Sequence, residues 1–374
     1  MKDSPKKKNN HFVPRSYLRR FCSASERQIG LYNIRSDREL EGAPIKSQCS
    51  RDYFYTKDPA HEDRFSEIEA EQVRLLNEIT ASFALPPAGS DDRKLLDTCL
   101  MFQAGRTASA VAHSNHMANE FGKAMLYHHY ARSEQKDILE FLPRVKISVV
   151  NAVFDSIRQH VLMTPLVEDL DCTLLVNRTG EDFLTSDHPV VQCNCLPMSS
   201  YPDRGIGFAS RGLIVLYPIS PRAILLWSDA EVYRVASEGG VLAVSNARDV
   251  IDLNLAQFMG ADENVYFSER RRVQETINAF RRNAATLRPP RPRIKDLPVI
   301  TSDNRSGKLL LMERPQPRLA KPRGIAIRLA AAKGRFRLGD RLVRDPMRAS
   351  FVKGAMDEFE RRDGPGHTTI DILS

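Results

Sequence analysis

The chain has 374 residues, of which 42% are hydrophobic and 27% charged. This is the balance of an ordinary globular protein, long enough for two domains or for one large domain with an extension. Its net charge of +8 is unevenly spread: the stretch from Arg288 onward holds 20 Lys and Arg against 10 Asp and Glu, so it carries +10 and the first 287 residues carry −2. The basic character therefore belongs to the last quarter of the chain and marks it as a place for polyanion contact.

Six cysteines (Cys22, Cys49, Cys99, Cys172, Cys193 and Cys195) are too sparse for a disulfide scaffold. Cys193-Asn194-Cys195 is a close pair, but without a second pair it is a weak metal signal. The Lys-rich start has no apolar core behind it and is not a secretory signal. The most apolar region, Leu213 to Trp227, is broken by Pro218, Pro221 and Arg222, so no segment is fit to span a membrane. These features predict a cytoplasmic protein without membrane contact.

Residues 1–10 read as a disordered basic arm. His11 follows, just ahead of Pro14, which suits the first turn of a helix. Tyr17, Leu18 and Phe21 then share one helical face. A histidine placed there feels the positive end of the helix dipole, which keeps its imidazole neutral and fit to act as a base or a ligand. The plain alternative is that His11 fills a polar corner.

A short strand is expected over Gln28–Asn33, and a turn followed by a strand over Ile45–Tyr55. From Glu62 the pattern becomes helical, with Ile68, Val73, Leu75, Leu76 and Ile79 as the apolar stripe and Glu67, Glu69 and Glu71 interleaved. Ser90 reads as the N-cap of a helix reaching about Ala131, with Asp91 and Asp92 in its first turn. Within it Gln103 and Arg106 lie on the side of Cys99 and Leu96, the side suited to the core. A buried arginine must be paired, either structurally or with a bound anion. A further helix is predicted from about Glu134 to Val161.

After Thr164-Pro165 the character turns to strands: Cys172–Val176, Phe183–Thr185, Pro189–Gln192, Leu213–Tyr217 and Ala223–Trp227. A helix over Ala247–Met259, a strand at Val265–Phe267 and a helix capped by Ser268 complete the body. The fold class predicted is α+β, with a helical N-terminal half packed on a mainly antiparallel sheet from the second half. The body spans residues 11–287, and a basic, Pro/Arg-rich extension follows over 288–374. Phosphate contacts to nucleic acid or another polyanion are assigned to residues 288–353, with a solvated tail as the plain alternative.

One stretch carries most of the chemistry. In Phe183-Leu184-Thr185-Ser186-Asp187-His188-Pro189-Val190-Val191 two apolar runs flank a polar knot. Pro189 removes a backbone donor and biases His188 toward extended geometry. Thr185, Ser186 and Asp187 can hydrogen-bond their own backbone and hold a turn. A carboxylate and an imidazole there suit base and acid, or two metal ligands; the plain alternative is that Asp187 caps the turn and His188 faces solvent.

These segments together resemble the family known as domain of unknown function 4238. The resemblance covers about residues 9–270 and rests on Asn10-His11-Phe12-Val13-Pro14 with Tyr17-Leu18 and Phe21, on Arg51-Asp52-Tyr53-Phe54-Tyr55, and on Glu69. Gln103 with Arg106-Thr107, the knot itself, Pro218-Ile219-Ser220-Pro221 and Asn254 complete it. The family pattern often carries Asn where this chain has His188, which places more weight on Asp187 and His11. It brings no activity with it.

Two functions follow from the residues. The first is a hydrolase acting on a phosphorylated or nucleic-acid substrate. In it His11, Asp187, Glu69, Arg106, Gln103 and His188 form the site, and His11 and Asp187 serve as the ligands if a divalent metal takes part. No H-E-x-x-H, P-loop or nucleophile elbow accompanies them. The second is a binding module in which the polar knot is a structural network and the basic extension contacts nucleic acid or an acidic partner.

Overall fold

The long apolar runs of the second half assemble into a sheet buried on both faces. The computed structural model describes residues 9–23, 27–52, 54–55, 59–131, 135, 137–195, 207–287, 293–300, 306–313, 324–327, 343–363 and 368–372. The chain opens with strand β1 (Asn9–His11), helix α1 (Arg15–Leu18) and strands β2 (Gln28–Asn33), β3 (Arg38–Pro44) and β4 (Ser50–Asp52). Helices α2 (Pro59–Ser82), α3 (Asp91–Gly105) and α4 (Ala108–Tyr130) follow, then the short α5 (Ile138–Phe141), strand β5 (Val145–Val149) and α6 (Ala152–Leu162).

The strand-rich part holds β6 (Asp171–Asn177), β7 (Thr185–Ser186), β8 (Val191–Asn194), β9 (Leu213–Ser220), β10 (Ala223–Ser228), β11 (Tyr233–Val235) and β12 (Val241–Val244). Helix α7 (Ala247–Gly260), β13 (Asn264–Phe267) and α8 (Gln274–Leu287) close the body. The architecture is α+β, and every strand pairing among the described residues is antiparallel except β12 with β6.

Five strands form the central sheet in the order β12-β6-β10-β9-β8. Its side chains divide by alternation. Leu213, Val215, Tyr217 and Ile219 of β9 join Leu225 and Trp227 of β10 on one face, against Leu96 and Leu100 of α3 and Leu75 and Leu76 of α2. Ile214 and Leu216 with Ile224 and Leu226 take the other, against Val250 and Leu253 of α7. A strand covered on both faces needs apolar residues at every position, which is why these runs read as continuous.

A second sheet, β3-β2-β13-β7, packs on α7 and α8 through Tyr32, Phe258, Phe267 and Phe280. The knot joins the two sheets. β7 pairs with β13 in the second sheet, whereas β8 pairs with β9 in the first. Phe183–Val191 is thus strand, turn and strand, but its two strands never meet as a hairpin.

Three expectations are corrected. The helix expected from Ser90 to Ala131 breaks at Arg106-Thr107. Ser90 caps α3 through the Arg93 amide, and the Thr107 hydroxyl starts α4 by accepting from Ala110 N. Gly105 belongs at this junction because a Cβ there would lie 2.8 Å from the Ser156 carbonyl of α6. The helix expected over residues 134–161 is cut by β5, where Pro143 and a β-branched run favour extended backbone. Strands β3, β11 and β12 lie in segments for which the sequence predicts no element, since their alternation is weak.

Residues 1–8 of the expected arm, and 196–206 of the loop after Cys193, lie outside the described residues. Past the body, β14 (Arg293–Ile300) and β15 (Ser306–Glu313) form a hairpin, β16 (Ile325–Ile327) pairs with β11, helix α9 spans Pro346–Asp363, and β17 (Thr368–Ile372) pairs with β5. Of the stretch read as polyanion-binding, residues 288–353, the segments 288–292, 301–305, 314–323 and 328–342 are outside the described residues. Arg344 ties this part to the body: it makes a two-pronged ion pair with Asp169 at 2.7 and 2.9 Å and donates to the carbonyls of Leu166, Phe208 and Ser210.

Candidate functional site

A pocket of about 630 Å³ opens between the N-terminal segment and α2. His11, Glu69 and Arg106 line it together with Asn9, Asn10, Arg15, Arg19, Lys46, Tyr55 and Phe65. The local sequence explains the convergence. β1 pairs with β4 to place His11 at the end of a short ribbon, and Pro14 then turns the chain into α1 and the 3-10 turn after it, whose first residues, Arg15 and Arg19, are four apart. On α2, Phe65 and Glu69 are also four residues apart and share a face. The break between α3 and α4 delivers Arg106 from below.

Arg106 is 1% exposed and fully engaged on one side. Its Nε donates to the Tyr55 hydroxyl at 2.7 Å, and its Nη2 donates to the His11 carbonyl at 2.9 Å and to Glu69 Oε1 at 2.6 Å. The guanidinium also lies 4.9 Å from the Phe102 ring centroid and 5.3 Å from that of Tyr55. Burial opposes its charge, but the Tyr55 oxygen and the Glu69 carboxylate outweigh that, so its pKa is raised.

His11 is half-buried, and its Nδ1 lies 3.1 Å from the Gln48 carbonyl. A carbonyl only accepts, so in the neutral ring Nδ1 carries the proton and Nε2 keeps its lone pair. Burial is the largest cause of a lowered His11 pKa, reinforced by the positive charges of Arg15 and Arg106. The direction favours the neutral ring. Its main cause is desolvation, since α1 has only four residues and a correspondingly slight dipole.

The other expected site residues lie elsewhere. Asp187 does not line this pocket. Its Oδ1 accepts from Asp262 N at 2.8 Å, and its Oδ2 accepts from Glu263 N at 2.8 Å and Asn264 N at 2.9 Å. Burial pushes its carboxyl up to about 6 against the pull of those amides. His188 Nδ1 meets the Thr107 hydroxyl at 2.7 Å. Gln103 is fully buried, and its amide donates to the Phe12 carbonyl at 3.3 Å.

His11 and Asp187, paired above as metal ligands, thus do not meet in this pocket. Among the described residues no three His, Cys, Asp or Glu side chains gather into a ligand set.

The knot is instead wired into its surroundings. Ser186 Oγ donates to Gln257 Oε1, whose amide in turn donates to the Pro189 carbonyl. Asn254, one turn earlier on α7, accepts from Leu184 N and donates to the Asp182 carbonyl. The Tyr17 hydroxyl donates to the Pro218 carbonyl at 2.6 Å, so the Thr185 hydroxyl, 2.7 Å away, donates to it.

The sequence alone does not single out Arg15, Arg19, Lys46 and Phe65 as pocket residues. Arg15 and Arg19 were legible as a spaced pair directly after His11. Lys46 was not, because the turn that carries it comes near His11 only through β1–β4 pairing.

The fold and site define an α+β protein with a cationic pocket built around one histidine and one carboxylate. A family described as "Protein of unknown function (DUF4238)" matches residues 9–271, and the chain belongs to it. No curated protein and no solved structure matches the chain. No helix among the described residues is long and apolar enough to cross a membrane.

Proposed function

We propose that the pocket binds a phosphate-bearing ligand, either a phosphorylated small molecule or a nucleic-acid end, and hydrolyses it with His11 and Glu69. The observation that carries this reading is the placement of the His11 ring, its Nδ1 turned to the Gln48 carbonyl, in one cavity with Glu69 and four cations. Four positive groups against one carboxylate favour an anionic guest, and the volume suits an organic ligand better than a bare ion. The basic extension supports the same charge class.

In this reading Nε2 takes a proton from water as the water oxygen bonds to phosphorus. The phosphorus–oxygen bond to the leaving group breaks, and the imidazolium returns the proton to that oxygen. Glu69, held by Arg106, accepts the water's second proton as a hydrogen bond and orients it. The surrounding cations offset charge on the phosphoryl oxygens. We assign Asp187, Gln103 and His188 to holding the fold, on the strength of their engaged hydrogen bonds.

The test is phosphate release from a panel of phosphate monoesters and 5′-phosphorylated oligonucleotides. His11→Ala should lower the rate by about 10²- to 10⁴-fold while keeping the circular dichroism spectrum. Equal rates for both proteins, or no release by the wild type, would remove the hydrolytic reading.

A further inference from the structure

We infer that Arg106 does not bind the ligand: with Tyr55 it forms a clamp that positions His11 and Glu69, while Arg15, Arg19 and Lys46 form the subsite for the ligand's phosphate. The inference rests on the pocket reading above and divides its cations into two roles.

The geometry of Arg106 separates it from the others. A guanidinium has five N–H bonds. Three are spent on Tyr55, His11 and Glu69 at 2.6 to 2.9 Å, and Nη1 is sealed from solvent without a partner among the described residues. The two N–H bonds that remain, both on Nη1, are shut off from solvent, so a ligand in the pocket reaches an Arg106 donor only by displacing the groups around it. The same Nη2 touches both the His11 backbone and the Glu69 carboxylate, so one rigid, planar group fixes their separation.

Tyr55 completes the clamp. Its hydroxyl accepts from Arg106 Nε and donates to the His11 carbonyl at 2.8 Å. The His11 carbonyl is thereby held by two donors, Tyr55 and Arg106. That anchors the backbone of His11 while the Gln48 carbonyl fixes its ring. Positioning of this kind keeps the base in a single orientation before the ligand arrives.

Arg15, Arg19 and Lys46 differ on each count. They are exposed at the pocket, and among the described residues they enter no ion pair. Three exposed cations, their side chains in no ion pair among the described residues, suit a phosphate dianion or a diphosphate. The carboxylate of Glu69, neutralised by its own bond to Arg106, does not repel such a guest as a lone carboxylate would.

The experiment uses the full chain with inorganic pyrophosphate as the probe. Binding is measured by calorimetry, and the His11 ring is followed by nitrogen NMR. The proteins are wild type, the triple variant Arg15→Gln/Arg19→Gln/Lys46→Gln, Tyr55→Phe and Arg106→Lys. The triple variant should lose about tenfold or more in pyrophosphate affinity with the His11 ring signals unchanged. Tyr55→Phe should keep pyrophosphate binding, yet move the His11 signals from the single Nδ1–H pattern toward the averaged pattern of a free histidine.

Arg106→Lys should do the same where it folds, and Tyr55→Phe decides the matter where it does not. Unmoved His11 signals in Tyr55→Phe, or retained affinity in the triple variant, would overturn the division of roles. If wild type fails to bind pyrophosphate, the phosphate subsite falls together with the proposed function. The His11 signals of Tyr55→Phe still decide the clamp in that case.

Discussion

Thr107 and His188 meet at 2.7 Å across 81 residues of sequence, and this hydrogen bond joins the break between α3 and α4 to the polar knot. The same hydroxyl accepts from Ala110 N to start α4. One oxygen therefore caps a helix and grips the turn that links the two sheets. Its neighbour in sequence, Arg106, serves the pocket. Thr107→Ala should lower stability by about 1–2 kcal/mol in urea unfolding, whereas Thr107→Ser should stay near wild type. His188→Asn should also be tolerated, because an amide reaches the same hydroxyl. Equal loss from the serine and alanine variants would show that the hydroxyl is not what matters.

Asp187 offers a sharper test of structure against chemistry. Its two oxygens take three backbone amides from Asp262, Glu263 and Asn264. An asparagine there turns an NH2 against at least one of those N–H groups. Asp187→Asn should therefore cost about 1–3 kcal/mol of stability. At the same time pyrophosphate binding should persist in the fraction that folds. A stable variant that has lost ligand binding would move Asp187 into the site.

Asp97 should make stability depend on pH. It is buried under the central sheet, where its Oδ1 accepts from the Trp227 indole at 2.8 Å and Arg93 lies 3.8 Å away. Burial raises its pKa from 3.8 to about 6, against the pull of Trp227 and Arg93 and with a small push from Glu168. The folded state then holds this proton more tightly than the unfolded chain. The contribution is fully present below about pH 4 and is lost as pH rises through about 6, a fall of about 2–3 kcal/mol. Asp187 adds a slope of the same sign, so the informative quantity is the difference between wild type and Asp97→Asn across this range. A difference that does not vary with pH would contradict the raised value.

In the proposed hydrolysis His11 should set the acid limb. Its pKa lies below the ordinary value of about 6.5. The base form should therefore be intact at neutral pH, and kcat/KM should fall only below about 6.5. Arg15→Gln, which removes one of the charges that lower this pKa, should shift the limb to higher pH. A limb that stays in place would mean that burial and Arg106 set it without Arg15.

Arg344 should prove essential to the seating of the C-terminal segment. Its side chain is 6% exposed and satisfies Asp169 and three backbone carbonyls. Arg344→Ala leaves that carboxylate and those carbonyls without their cation, at a cost of about 3–5 kcal/mol. Protease cleavage between the body and α9 should become faster in the same variant. Unchanged cleavage would show that Val352 and the other apolar contacts of α9 suffice without the ion pair.

Much of the fold lay open in local pattern. The alternating and continuous runs of β6, β9 and β10, the cap at Ser90 and the stripe of α2 follow from side-chain period and backbone preference, which act over a few residues. The same local rules gave His11 its place before Pro14 and marked Arg106 as a buried cation in need of a partner. They did not give the break at Thr107 or the insertion of β5. Those depend on Gly105 meeting α6 and on β17 arriving from the far end of the chain.

The sequence by itself therefore determined the class of fold, the family segments and the residues with chemical potential. Only tertiary structure decided which of them share a space. Asp187, His188 and His11 looked alike as polar residues beside turns. The amides of 262–264 engage the first, Thr107 engages the second, and Tyr55 with Arg106 holds the third at a pocket. Each partner comes from a distant part of the chain. A carboxylate or an imidazole is structural or available according to what those partners leave unbonded.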